Sequence, residues 1–89
     1  MTVRYSPGFL EELKKASVLV RKSFKKRVVI FLRDSDEPQL NNHPLQKDWK
    51  GYRSIDITND WRAIYAEKIE EDETVAYFVA LGTHQELYR

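Results

Sequence analysis

The stretch GYRSIDITNDWRAIYAEKIEEDETVAYFVALG, residues 51–82, decides the fold. After Gly51 the side chains alternate, with Tyr52, Ser54 and Asp56 on one side and Arg53, Ile55 and Ile57 on the other. That two-residue period is the signature of a half-buried strand. Thr58, Asn59 and Asp60 are turn formers. Residues 61–67 then resume as a strand, with Ile64 and Tyr65 turned inward. Glu70, Glu71, Asp72 and Glu73 form an acidic hairpin tip, and residues 74–81 are the most β-prone run in the chain, closed by Gly82. Strands joined by hairpins in this way make an antiparallel sheet.

Upstream of that sheet the period changes. Residues 2–5 alternate Thr2 and Arg4 with Val3 and Tyr5, a starting or edge strand. Ser6 and Pro7 read as an N-cap and a first-turn proline, with Phe9, Leu10 and Leu13 at helical spacing behind them. A second helix is expected over residues 18–32. Val20, Phe24, Val28, Phe31 and Leu32 form its apolar stripe, while Arg21, Lys22, Lys25 and Lys26 lie mostly off it. Val29 and Ile30 widen the stripe and suggest deeper burial. A break at Ala16 and Ser17 folds the two helices into a hairpin. Residues 34–50, with Asn41, Asn42, Pro38 and Pro44, follow neither period and read as a long loop, a feature often functional in compact domains. Residues 84–88 form a short final turn or helix. The expected architecture is one α+β domain over residues 1–89, an N-terminal strand and helical hairpin packed on an antiparallel sheet.

Composition narrows the chemistry. The chain has 89 residues, 42% hydrophobic and 33% charged, which suits a folded soluble protein and not a disordered one. It has no cysteine, which excludes disulfides, thiolate metal sites and thiol nucleophiles and makes a reducing cytoplasm the expected location. No apolar run approaches the roughly 20 residues that span a bilayer, and the N-terminus has no secretory pattern. The net charge of +1 conceals an asymmetry. Residues 1–33 carry nine Lys or Arg against Glu11 and Glu12, whereas residues 63–89 carry six acidic side chains against Lys68 and Arg89. Such a dipole suits a polyanion on one face, although two ordinary solvated faces would produce the same count.

His43 and His84 lie in different segments, and a histidine pair can give and take a proton in one reaction near neutrality. RNA cleavage needs that: a base for the ribose 2′-hydroxyl, an acid for the departing 5′-oxygen, and cations for the phosphate. Two loop histidines on the surface are the plain alternative. A metal held by His43 and His84 with Asp56 or Asp60 is a weaker one, because no recognisable ligand spacing is present. Gly8, Gly51 and Gly82 are isolated and make no phosphate loop, and Ser54 lacks the glycines that expose a serine nucleophile. Trp49-Lys50-Gly51-Tyr52-Arg53 and Asp60-Trp61-Arg62 set rings beside cations, an arrangement able to stack bases and hold phosphates. Tryptophans in so small a chain also serve as core, and for Tyr65, Tyr77 and Phe78 the core is the preferred reading.

Taken in order, four strings closely resemble the RelE/ParE toxin superfamily, best its YafQ-like branch of mRNA interferases. They are His43-Pro44-Leu45-Gln46, Trp49-Lys50-Gly51-Tyr52-Arg53, Asp60-Trp61-Arg62-Ala63-Ile64-Tyr65 and Gly82-Thr83-His84-Gln85-Glu86-Leu87-Tyr88. The resemblance implies a RelE-like architecture and a toxin of a toxin–antitoxin pair. Its activity would be that of a ribonuclease without metal or cofactor, cutting mRNA in the ribosomal A site and silenced by a cognate antitoxin. It places His43, Asp60, His84 and Tyr88 on catalytic positions, Arg62 on a phosphate-contacting one, and Trp61 beside the site. Lys47, Trp49, Lys50, Arg53 and Asp56 are the further candidates for RNA contact. Two departures stand out: Asp56 replaces a histidine and Ala80 an arginine common in the branch. The rival readings are a ParE-like inhibitor that binds DNA gyrase without cutting RNA, and an inactive relative that only binds an antitoxin.

Overall fold

A computed structural model describes residues 1–88; Arg89, counted above in the C-terminal charge, lies outside them. The elements are β1 (Thr2–Tyr5), α1 (Pro7–Lys15), α2 (Val18–Arg33), β2 (His43–Pro44), β3 (Arg53–Asp56), β4 (Trp61–Glu70), β5 (Glu73–Thr83) and α3 (His84–Leu87). The expected α+β class holds, and both expected helix starts are built as read. Ser6 caps α1 by accepting from the Phe9 N–H at 3.0 Å, and Ser17 caps α2 by accepting from the Val20 N–H at 3.2 Å.

The sheet runs β1-β5-β4-β3-β2 and is mixed, not purely antiparallel. Its first strand lies parallel to β5, with Val3 beside Ala76 and Tyr5 beside Phe78. Local alternation specifies which residues face the core but carries no strand direction. That register puts Tyr5 against the ring of Phe78, and the chain then leaves directly into α1. The hairpin is also longer than expected: β4 continues to Glu70, leaving Glu71 and Asp72 as a left-handed turn, and β5 continues through Gly82 to Thr83.

Both helices cover one face of the sheet. There Phe9, Phe24, Phe31, Tyr65 and Phe78, each at most 4% exposed, interlock with ring centroids 5.0–5.7 Å apart. Burying a side chain of this size contributes about 1.5–3 kcal/mol. Tyr77, in contrast, is half-buried and donates its hydroxyl to Glu70. Leu10 and Leu32 stand at the edges of their stripes and are exposed. Val29 lies on the solvent side of α2, so the widened stripe does not signal deeper burial, although Ile30 does pack on the core.

The expected loop at residues 34–50 is more ordered than its composition suggests. It contains β2 and two single-turn helices, Pro38–Leu40 and Lys47–Trp49, and it is pinned by buried Leu40 and Leu45. Asn42 holds it to the sheet, donating to the Ser35 carbonyl at 2.9 Å and the Tyr65 hydroxyl at 2.8 Å and accepting from Arg53 Nε at 2.9 Å. A bulge between β4 and β5 sets Tyr65 against Phe78 but Ile64 against Ala80. The extra residue, Val79, shifts the alternation of β5 by one place, so Leu81 joins Ala63 in the core while Ala80 turns to the other face with Ile64 and Arg62.

Candidate active site

The face of the sheet turned away from α1 and α2 carries Ser54 and Asp56 from β3, Arg62 from β4 and His43 opposite Ser54 on β2. The C-terminal segment folds back over it. Gly82 permits this close return, since a Cβ there would stand 3.3 Å from the Leu87 side chain. Thr83 and Glu86 make a capping box that starts α3, and the His84 N–H donates to the Asp60 carbonyl at 2.8 Å. Two further bonds fasten the end of the segment. The Trp49 indole donates to the Leu87 carbonyl at 2.9 Å, and the Tyr88 hydroxyl donates to Ser54 Oγ at 2.9 Å.

The result is a cleft of about 390 Å³ lined by Asn41, His43, Leu45, Arg62, His84 and Tyr88. Four residues singled out from the sequence therefore meet across three separate elements. His43 is half-buried, with Nδ1 2.7 Å from the Asn41 carbonyl. A carbonyl only accepts, so Nδ1 carries the proton, and the neutral ring has its free lone pair on Nε2. Asn41 presents that carbonyl from a left-handed conformation, φ 49°. His84 is exposed, and its ring stands edge-on to Tyr88 at 4.7 Å.

Arg62 is braced. Its NH1 group donates to the carbonyls of Thr58 at 2.9 Å and Trp61 at 3.0 Å, and Nε lies 3.0 Å from Asp56 Oδ1. That carboxylate oxygen is buried and accepts no aligned hydrogen bond, so charge alone holds it to the guanidinium. The other oxygen accepts from Asn41 at 3.4 Å. Asp56 thus touches Arg62 and offsets part of its charge. Asp60 lies on the opposite side of His84, lining a second cleft of about 390 Å³ with Thr83, His84 and Gln85. Lys47 and Trp49 border a third hollow beside Tyr88, of about 250 Å³.

The remaining candidates are spread apart. Trp61 packs against the core, Arg53 is engaged by Asn42 beneath the loop, and Lys50 is exposed beyond the clefts. Asn41 and Leu45 line the cleft without any sequence signal that marks them for it, and Ser54 is marked in the sequence only as a nucleophile candidate. Among the described residues, no three His, Asp or Glu side chains gather as a metal-ligand set, and no helix is long and apolar enough to cross a membrane.

Comparison with known proteins agrees over the whole chain. Residues 1–89 match the model of the family described as the bacterial toxin of type II toxin–antitoxin system, YafQ. The mRNA interferase toxin YafQ of Escherichia coli strain B / BL21-DE3 is 29% identical over 90 residues, 97% of this chain and 94% of the relative. The crystal structure of YafQ from E. coli strain BL21(DE3) superposes with a TM-score of 0.72 at 25% identity, covering 98% of this chain and 97% of that one. The E. coli DinJ–YafQ complex gives 0.70 at 26%, with the same coverage.

Proposed function

The chain belongs to the YafQ family of bacterial toxins from type II toxin–antitoxin systems, and on that premise we propose that it is an endoribonuclease that cuts mRNA in the ribosomal A site. The observation that carries this reading is the meeting of His43, Arg62, His84 and Tyr88 in one cleft. Two proton carriers and a cation in one hollow are what in-line attack by a ribose 2′-hydroxyl requires. His43 Nε2 takes the 2′-hydroxyl proton, and the resulting oxygen attacks phosphorus. Arg62 stabilises the charge that grows on the phosphoryl oxygens. His84 gives its proton to the departing 5′-oxygen. The products are a 2′,3′-cyclic phosphate and a 5′-hydroxyl, with no metal in the reaction. Tyr88 stacks against a base, Asp60 orients the His84 segment through its carbonyl, and Lys47 and Lys50 draw in the backbone.

A cognate antitoxin silences this activity, as the family and the complex of the E. coli relative suggest. The exposed side of α2, with Val18, Leu19, Val29, Arg21, Lys22 and Lys25, offers an acidic partner an apolar strip edged with positive charge. The test is purified protein with programmed ribosomes and a defined mRNA, mapping the cut and the chemistry of its ends. Intact mRNA together with an early arrest of DNA replication on expression would replace this reading with gyrase inhibition.

A further inference from the structure

Apart from the Tyr65 hydroxyl, Ser54 is the buried polar side chain among the described residues, 0% exposed in the middle of β3. A strand interior usually fills such a position with an apolar side chain, as Ile55 does beside it. The Ser54 hydroxyl has a specific partner, the hydroxyl of Tyr88, which lies in the C-terminal segment on the cleft side of the sheet. That segment contains a helix of only four residues, far too short to hold its shape through its own hydrogen bonds. It is held from outside at three points: His84 N–H on the Asp60 carbonyl, the Trp49 indole on the Leu87 carbonyl, and Tyr88 on Ser54. The His84 ring in turn leans on the Tyr88 ring. Fixing the tyrosine therefore limits where the histidine can go.

From this geometry we infer that Ser54, assisted by Trp49, is a positioning residue that holds the C-terminal segment so that His84 stays over the cleft. The inference rests on the ribonuclease reading for its kinetic consequence, but the docking itself does not. Ser54 is closed off from solvent and touches no RNA; it acts through Tyr88. Trp49 likewise contributes through its indole N–H.

The test is a cycle of Ser54→Ala, Tyr88→Phe and the double variant, with kcat and KM measured on mRNA and the His84 ring protons followed by NMR. Tyr88→Phe keeps the stacking ring and removes only the hydroxyl. Each single variant is expected to lower kcat about 3- to 10-fold, the rate equivalent of one ordinary hydrogen bond, with KM little changed. The double variant should be no slower than the slower single one. All three should move the His84 ring signals by loosening the edge-on contact. Trp49→Phe should shift the same signals. If Ser54→Ala leaves both kcat and the His84 signals at their wild-type values, the inference is overturned. It is equally overturned if Tyr88→Phe is far slower than Ser54→Ala and the two effects multiply, since the hydroxyl would then be acting on RNA. Should Ser54→Ala fail to fold, Tyr88→Phe reports on the same bond from its half-buried end. A wild-type protein that cuts no RNA would sink the ribonuclease reading, while the NMR arm still decides the docking.

Discussion

Replacing His84 by alanine should separate chemistry from folding. His84 is exposed, and the backbone bonds around it do not depend on its side chain. Its N–H reaches the Asp60 carbonyl whatever residue stands there, and the Thr83–Glu86 capping box is made without it. The side chain's visible contact is the edge-on approach to Tyr88 at 4.7 Å. An aromatic pair of this kind contributes about 0.5–1.5 kcal/mol, and solvent exposure places this one at the low end. Alanine also favours the helical position, which offsets part of the loss. Against even the smallest ordinary stability, about 5 kcal/mol, a loss of about 1 kcal/mol leaves roughly 0.1% of the protein unfolded. The melting point should fall by no more than about 4–8 °C. The rate should fall by about 10²–10⁴, equivalent to about 2.7–5.5 kcal/mol of transition-state stabilisation, if His84 carries the leaving-group proton. The assay is single-turnover cleavage on programmed ribosomes, paired with a thermal melt of the same preparation. His84→Gln should be nearly as slow, since it keeps a polar shape without a titratable proton near neutrality. Cleavage at the wild-type rate, or inactivity matched by loss of the folded fraction, would refute the assignment and move the proton transfer to Asp60 or Asp56.

Arg62→Ala should slow cleavage by at least about 10²-fold, the scale of losing a preorganised charge-stabilising group, and it should also leave Asp56 Oδ1 buried without its cation. Guanidinium-free Arg62→Met in a denaturant melt should therefore be stabilised by adding Asp56→Asn; strict additivity of the two would show that the pair is not coupled. Phe78→Ala removes the ring at the centre of the aromatic core and should cost about 3–5 kcal/mol, read as a lowered denaturation midpoint; a loss under 1 kcal/mol would contradict the packing described. Burial, followed by the Glu67 charge, raises the Tyr65 hydroxyl above its usual pKa of 10.0, partly offset by the Asn42 bond and Arg53. The fold thus favours the neutral hydroxyl, and the stability this provides is intact below about pH 10 and lost as the pH climbs through the raised value. Urea melts from pH 8 to 11 should show that decline, and Tyr65→Phe should make it shallower, the raised Tyr5 and Tyr77 hydroxyls accounting for part of the remainder. Cleavage should also survive EDTA when ribosome integrity is maintained by other means; rescue by one divalent ion alone would point to a metal site.

Much of the structure was legible because short-range physics wrote it. A hydroxyl before a proline and a helical stripe is enough to start α1 at Ser6, and strict alternation after Gly51 is enough for β3. Gly82 likewise announces a break near the end of the last strand, which the structure places one residue later, after Thr83, and His84 lies exposed just beyond it. The candidate site was readable as a list of residue types in a recognisable order, with His43, Arg62, His84 and Tyr88 among them.

What joined those residues was decided only in three dimensions. The parallel pairing of β1 with β5 depends on where α1 and α2 come to rest, and alternation is blind to direction. The bulge at Ile64 and Tyr65 is a mismatch between two strands, and neither strand records it alone. Aromatics that look alike as neighbours of cations diverge once packed: Trp61 covers the core, while Trp49 ties down the Leu87 carbonyl. Arg62 looks like a free cation until β3 sets Asp56 against it. Ser54 and Tyr88 are 34 residues apart, with no local pattern to link them. Periodicity, capping and turn chemistry act over a few residues and can be read from neighbours. Hydrogen bonds and ion pairs between distant segments exist only after the core has closed and brought those segments within 3 Å.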